Sequence, residues 1–281
     1  MSFSRPPTRS IKRAIRMLEP WRILTAPKVF GMENVPDERP LLFVGNHTIF
    51  GILDVPMMFR ALLLEKDIFL RSLGDHLHFK IPVWREMIAR YGVVDGTRKN
   101  CAALMDAGEC ILVFPGGARE VAKRKDEKYR LIWKERVGFV RMAVRHGCTI
   151  VPFSAVGAED AYDILLDAND IMATPLGPLI KKLKLRDATL LPIATGVGPT
   201  PFPRPHRLYF RFGTPISTQP FKGQDADTAL CHQIREQVRK EVEEGIEWLL
   251  ETRESDPKRE FLPRVLSELN KLAEQAAERS Q

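Results

Sequence analysis

Cysteine is scarce in this chain of 281 residues: Cys101, Cys110, Cys148 and Cys231 are the whole set, far apart and without a CxxC pair. That spacing argues against a disulfide framework and a zinc site, and fits reduced, structural thiols in a cytosolic compartment. No other metal-ligating pattern stands out. Long apolar runs are lacking too. The most apolar stretch, residues 49–64, is cut by Gly51, Asp54, Pro56 and Arg60. A spanning helix needs about 20 mostly apolar residues, so no transmembrane segment is expected. The opening, MSFSRPPTRSIKR, has no uninterrupted apolar core of the kind a secretory signal carries. A GxSxG elbow is absent, which weakens the case for a hydrolase with a serine nucleophile. Neither an internal repeat nor a low-complexity stretch occurs.

What is present is the balance of a soluble globular protein, 44% hydrophobic and 28% charged. The length suffices to bury a core without staples. The formal net charge of +7 points to an anionic partner. That charge is unevenly placed. Residues 1–30 carry seven bases against the single acid Glu19, whereas residues 225–281 carry nine bases against fourteen acids. The partner is therefore expected to meet the N-terminal segment and the middle of the chain, not the tail.

Residues 8–19 read as a basic amphipathic helix. Ile11, Ile15 and Leu18 recur at helical spacing, Arg9, Lys12, Arg13 and Arg16 fill the other positions, and the chain loosens after Pro20. Residues 41–44 (LLFV), between Pro40 and Gly45, read as a buried strand. Asp54 ahead of Val55 and Pro56 reads as the N-cap of a helix running to about Lys66. Further apolar strands at 68–73, 93–94, 111–114, 149–156 and 208–212 are interspersed with helices at 82–91, 97–107 and 134–146. This alternation predicts an α/β fold, a mixed, largely parallel sheet covered by helices on both faces. Near the C-terminus, Leu230, Ile234, Val238, Val242, Ile246 and Leu249 form the stripe of one long helix, and a last helix carries Phe261, Val265, Leu269 and Leu272. The expected division is a basic N-terminal segment (1–36), an α/β domain (37–221) and a C-terminal helical extension (222–281).

Two constellations carry chemistry, and both follow apolar strands. Gly45-Asn46-His47 follows LLFV, with Asp54 seven positions on. A strand end is where ligands of α/β sheets bind. A neutral imidazole there can take the proton of an alcohol, and a carboxylate can hold its tautomer. Both residues also have structural readings, His47 as a satisfied core histidine and Asp54 as a helix cap. They can meet only if residues 48–53 bend, which Gly51 permits. The second constellation is Phe114-Pro115-Gly116-Gly117-Ala118-Arg119-Glu120. Gly116 and Gly117 let the backbone approach a ligand and offer amides to an oxyanion or a phosphate, while Arg119 presents a planar fork to phosphate. A Pro-Gly-Gly turn is otherwise only a turn.

Taken together, Asn46-His47 with an Asp downstream, GVVDGTR at 92–98, FPGGARE at 114–120 and Ile150-Val151-Pro152 resemble, in order and spacing, the four blocks of the glycerolipid acyltransferase family, over about residues 41–155. Gly213-Thr214-Pro215-Ile216 looks like that family's closing element. The likeness is nearest to a branch related to diacylglycerol and phytyl ester acyltransferases. The resemblance implies a His/Asp pair in which His47 deprotonates an acceptor hydroxyl. That hydroxyl attacks the thioester of acyl-CoA or acyl-carrier protein without a covalent acyl-enzyme. Arg98 and Arg119 match the arginines of the second and third blocks and would contact acceptor phosphate or headgroup. Two departures stand out. Six residues separate His47 from Asp54 where the family has four, and Gly116 replaces the glutamate of the family's FPEG block.

Other features are weighed beside these. Asp75-His76-Leu77-His78, read as a strand, would put Asp75 and His76 on opposite faces and so form no dyad. It lacks further metal ligands, and a structural or acceptor-site role is expected. Residues 119–136 carry eight bases against four acids, either a solvated loop or a site for an anionic donor or lipid headgroups. No nucleic-acid motif accompanies them. The basic helix 8–19 is either a membrane-surface anchor or a helix packed on the domain with its basic face in water. The acidic C-terminal helices are expected to serve packing or oligomerisation.

The reading is an acyltransferase that esterifies a lipid hydroxyl on a lysophospholipid, diacylglycerol or long-chain alcohol. It is expected to be peripheral on the cytoplasmic membrane face, to take an acyl thioester as co-substrate, and to need no cofactor, metal or nucleic acid. The rivals are a non-catalytic membrane-lipid binding protein on the same fold and an acyl-thioester hydrolase.

Overall fold

The computed structural model describes residues 5–182 and 190–278, so the ends of the expected N-terminal segment and C-terminal extension lie outside the described residues. Six strands come first: β1 (Lys28–Phe30), β2 (Leu41–Gly45), β3 (Leu70–Gly74), β4 (Val94–Asp95), β5 (Cys110–Val113) and β6 (Thr149–Val156). Next, β7 (Asp163–Leu166) and β8 (Ile193–Thr195) form a separate antiparallel pair, before β9 (Tyr209–Phe212) and β10 (Ile216–Ser217) rejoin the main sheet. Among the described residues the main sheet has the order β1-β9-β6-β2-β5-β3-β4, with β10 also on β6. Strands β6, β2, β5, β3 and β4 run parallel, while β9 and β10 run antiparallel to β6. The mixed, largely parallel sheet expected from the alternation is present. It reaches back into the N-terminal segment, since β1 pairs with β9.

Every residue of β2 is buried, because alternate side chains feed a core on each face. Leu42 and Val44 join Ile111 and Ile150 under the helices Arg98–Asp106, Gly138–His146 and Thr228–Glu254. Leu41 and Phe43 join Leu112 and Val151 under the helix Val55–Lys66. The stripe on the Thr228–Glu254 helix is buried from Ile234 to Leu249, and the helix packs along β6 and β9. All four cysteines are free and buried; burial pushes the Cys101 and Cys110 thiols up to about 11, so neither is a reactive thiolate. No helix among the described residues is long and apolar enough to cross a membrane.

The N-terminal helix departs from the expected boundary. It spans Thr8–Thr25 and runs through Pro20, whose missing amide would normally stop it. Tertiary anchors past the proline hold the last turn. The Trp21 indole donates to the Leu53 carbonyl at 2.9 Å, and Arg22 pairs with both Glu19 and Glu268 at 2.6 Å. The helix packs against Val55–Lys66 and Phe261–Glu278, leaving Arg9, Lys12, Arg13 and Arg16 in water.

Candidate active site

The register sets the ends of three parallel strands side by side. Val44 lies opposite both Val113 and Pro152, and Gly45 lies opposite Phe153. Just past β2, the buried Asn46 side chain exchanges two hydrogen bonds with the Ala155 backbone, at 2.9 and 2.8 Å. This clamp to β6 fixes where His47 emerges. The His47 ring stacks on Phe114, centroids 3.9 Å apart at 21°, and rests against Gly51. Gly51 has φ +62°, and a Cβ there would lie 2.0 Å from the imidazole Cε1, so glycine is required on both counts. Burial, reinforced by Lys123, lowers the His47 pKa from its ordinary 6.5 to about 3. The ring is therefore neutral at physiological pH. Its Nδ1 is buried without a hydrogen-bond partner among the described residues.

Asp54 is not that partner. Its Oδ1 accepts from the Thr48 hydroxyl and from the Val55 amide, both at 2.9 Å, and caps the Val55–Lys66 helix. Residues 48–53 do bend, with Phe50 at φ +58° and Gly51 at φ +62°. The bend folds the Asp54 carboxylate back onto Thr48. Burial raises the Asp54 pKa, opposed by these hydrogen bonds. The structure thus places Asp54 beneath the His47 loop as a cap, and no recorded hydrogen bond joins the two.

The FPGG turn follows β5 and faces the same edge. Gly117 takes φ +54° and ψ −146°, a conformation open to glycine. Gly116 sits directly on Glu120, whose Cδ would lie 2.3 Å from an added Cβ. Glu120 is fully buried. One oxygen accepts the His47 amide at 3.3 Å and the other the Ile132 amide at 3.0 Å, so a single carboxylate ties together the end of β2, the turn and the following loop. Desolvation pushes its pKa up to about 7. Nearby, the buried Lys123 ammonium pairs with Glu159 at 2.7 Å and donates to the carbonyls of Glu127 and Arg130. The Gly117 amide is bonded to the Phe114 carbonyl at 2.9 Å, whereas the Gly116 amide has no recorded partner among the described residues.

The arginines divide differently from the expectation. Arg119 turns away from the edge, donating to the Ala122 carbonyl at 3.1 Å and pairing with Glu127. Arg136 instead grips the turn, donating to the Pro115 and Gly116 carbonyls at 2.7 and 3.0 Å. Arg98 is exposed in the first turn of the helix that follows β4. In the sheet order β5 and β3 lie between β4 and β2, which at about 4.8 Å per strand puts roughly 14 Å between the two strands. A cavity of about 290 Å³ has Ile49, Lys123, Arg124, Lys125, Lys128 and Glu159 in its lining. Lys125 and Lys128 are held there by Asp170 and Asp160, at 2.8 and 2.5 Å. Four of the eight bases of the cluster, Arg119, Lys123, Lys125 and Lys128, are thus paired with carboxylates.

Residues 75–78 form a capped helical turn, not a strand: the Asp75 side chain accepts the Leu77 amide. His76 pairs with Asp95 at 2.5 Å, and His78 accepts from the Trp84 indole at 3.2 Å. Sequence reasoning missed the supporting roles of Asn46, Glu120, Lys123 and Arg136. Glu120 carried the one usable signal, an acid inside the FPGGARE motif itself. Among the described residues no group of three or more His, Cys, Asp or Glu side chains is placed to hold a metal ion.

Comparison with known proteins follows the same lines. The Acyltransferase family model matches residues 26–156. Phytyl ester synthase 1, chloroplastic, of Arabidopsis thaliana is 37% identical over 84% of this chain and 36% of its own length. The chain therefore spans little more than a third of that relative. The DGAT1/2-independent enzyme synthesizing storage lipids of Bos taurus is 31% identical over 48% of this chain and 40% of its own. Among solved structures, the 1-acyl-sn-glycerophosphate acyltransferase of Thermotoga maritima aligns over 85% of this chain and 82% of its own, at 18% identity and a TM-score of 0.48.

Proposed function

This chain belongs to the glycerolipid acyltransferase family, and from that premise we propose that it is an O-acyltransferase moving a fatty acyl group from an acyl thioester to a lipid hydroxyl. The observation that carries the reading is His47: an imidazole just past the end of β2, stacked on Phe114, with its own amide held by the Glu120 carboxylate on which Gly116 sits. As the acceptor oxygen attacks the thioester carbonyl, His47 takes the hydroxyl proton. The carbonyl oxygen becomes an oxyanion, for which the Gly116 amide is the available donor. Collapse expels the thiolate, which takes the proton back from the imidazolium. The thioester arrives activated, so this sequence of steps calls for no metal or redox group. The donor is acyl-CoA or acyl-carrier protein.

In this reading Asp54 acts through Thr48 on the loop that carries His47, and the exposed Arg98 offers its guanidinium to an acceptor phosphate or headgroup. Arg119, bonded to Glu127 and to the Ala122 carbonyl, holds the loop that follows the turn. The exposed bases of the Thr8–Thr25 helix favour a peripheral position on the anionic, cytoplasmic face of a membrane.

The test is incubation with labelled acyl-CoA or acyl-carrier protein and a mixed lipid extract, with product analysis. A labelled ester is expected, falling about 10³-fold in His47→Ala while the circular dichroism spectrum is unchanged. Free fatty acid released without acceptor would mean a thioesterase, and vesicle binding without transfer a lipid-binding protein. Near-normal turnover by folded His47→Ala would sink the assignment.

A further inference from the structure

The chain between β3 and β4 leaves and rejoins the sheet at the edge that carries His47. Leu73 pairs with Val94, Gly74 pairs with Asp95, and the Gly96 amide donates to the Gly74 carbonyl at 2.9 Å. After the turn His76–Phe79 comes the helix Pro82–Arg90, in which no residue is buried. This helix is nonetheless amphipathic. At 3.6 residues per turn, Val83, Trp84, Met87 and Ile88, with Tyr91 just beyond, fall within an arc of roughly 140°. Arg85, Glu86, Ala89 and Arg90 take the opposite side. The apolar arc is left uncovered: Val83 is 81% exposed, Met87 45% and Trp84 39%, and Leu77 and Ile81 enlarge the patch at 62% and 57%. An apolar helix stripe ordinarily faces a core, and a helix this short is not stable alone in water.

We infer that this stripe lies in the interface of an anionic lipid bilayer, the surface from which the proposed lipid acceptor would reach His47. Charge favours a bilayer over a second copy of the chain. Lys80, Arg85 and Arg90 rim the stripe, and Glu86 is the single acid within residues 76–91. Anionic headgroups attract such a rim, whereas two copies meeting about a two-fold axis would set like charges against each other. Aromatic character agrees. Trp84 and Tyr91 are amphipathic rings of the kind that settle at headgroup level, and the Trp84 indole nitrogen is tied to His78 at 3.2 Å. The stripe differs from the Thr8–Thr25 face, which turns bases to solvent; here large apolar side chains are themselves exposed, which is what burial at the acyl boundary uses.

The inference draws on the proposed activity only for the identity of the lipid as acceptor, so its test reads binding without turnover. The full chain is cosedimented with vesicles of phosphatidylcholine alone and of phosphatidylcholine with phosphatidylglycerol. Wild type is expected on the anionic vesicles, and a Val83→Asp, Met87→Asp double variant is expected to bind at least about tenfold more weakly with unchanged circular dichroism. Tryptophan fluorescence should shift to the blue on anionic vesicles in wild type and lose most of that shift in Trp84→Phe. Three results would overturn the inference: equal binding by the double variant, no binding of wild type to either vesicle, or a dimer that the double variant dissolves. A chain that binds through the stripe yet transfers no acyl group would refute the proposed activity and leave this surface standing.

Discussion

The segments that follow β5 and β3 leave the same sheet edge, yet one buries charge and the other exposes apolar side chains. After β5, Glu120 and Lys123 are almost wholly buried, and their partners include the His47 amide and Glu159. After β3, Val83, Trp84 and Met87 stand in water. Each inverts the usual rule that charge stays outside and apolar bulk inside. The inversion after β5 is satisfied within the chain, because each buried ion meets donors, acceptors or an opposite charge. That is what holds a backbone amide, a glycine turn and an imidazole in fixed relation. The inversion after β3 has nothing among the described residues to satisfy it. The difference separates a site assembled by folding from a surface left open for something outside the chain.

The contrast can be broken most forcefully at Lys123. Replacing it with methionine leaves Glu159 buried and unpaired, and urea unfolding should show a loss of about 3–5 kcal/mol. Adding Glu159→Gln should restore much of this, and a loss below about 1 kcal/mol in the single variant would mean the pair is not the anchor described. Next comes Glu120→Ala, which empties the space beneath Gly116 and strands the His47 and Ile132 amides. A loss of about 2–3 kcal/mol is expected, with turnover falling as well. Gly116→Ala should act in the same direction, since its Cβ would meet Glu120.

Titration sharpens the picture further. The folded state holds His47 neutral down to about pH 3, whereas the unfolded imidazole takes a proton near 6.5. Wild type therefore loses stability through this group as pH falls from 6.5 towards 3, by about 2 kcal/mol at pH 5. Glu120 runs the other way. Its folded pKa of about 7 lies above the ordinary carboxyl value, so stability through it falls as pH rises from about 4.5 to about 7. The wild-type melting temperature should accordingly vary less between pH 4.5 and 6.5 than that of His47→Gln, which falls with pH, or Glu120→Gln, which rises. Two parallel profiles would contradict these environments.

A smaller effect is expected at Asp54. As a cap bonded to Thr48 and Val55, Asp54→Asn should lower stability by about 1 kcal/mol or less and turnover by less than tenfold. A collapse of turnover matching that of His47→Ala would restore the direct pair. The smallest effect belongs to the segment after β3, where the Val83→Asp, Met87→Asp double variant should change stability in solution by under about 0.5 kcal/mol at each site.

Much of this was legible in residue order. Asp54 is a helix cap as its position predicts, and β6 occupies 149–156 as its apolar run predicts. The His47 and FPGG segments do end neighbouring strands. Pro20 misled because local propensity yields to the packing of Trp21 and Arg22. Residues 75–78 misled because four residues are too few to show a period.

The sequence by itself therefore determined the α/β alternation, the helix ends and the two strand-end segments that make the candidate site. Those signals are local: periodicity, turn chemistry and caps act over a few residues. Only tertiary structure decided that Glu120 reaches back 73 positions to the His47 amide, that Arg136 and not Arg119 grips the glycine turn, and that Asp54 closes on Thr48. It alone decided that the Val83 stripe stays uncovered. A pattern states that a helix has an apolar side; which way that side points, and which buried charge meets which, depends on what the rest of the chain brings to it.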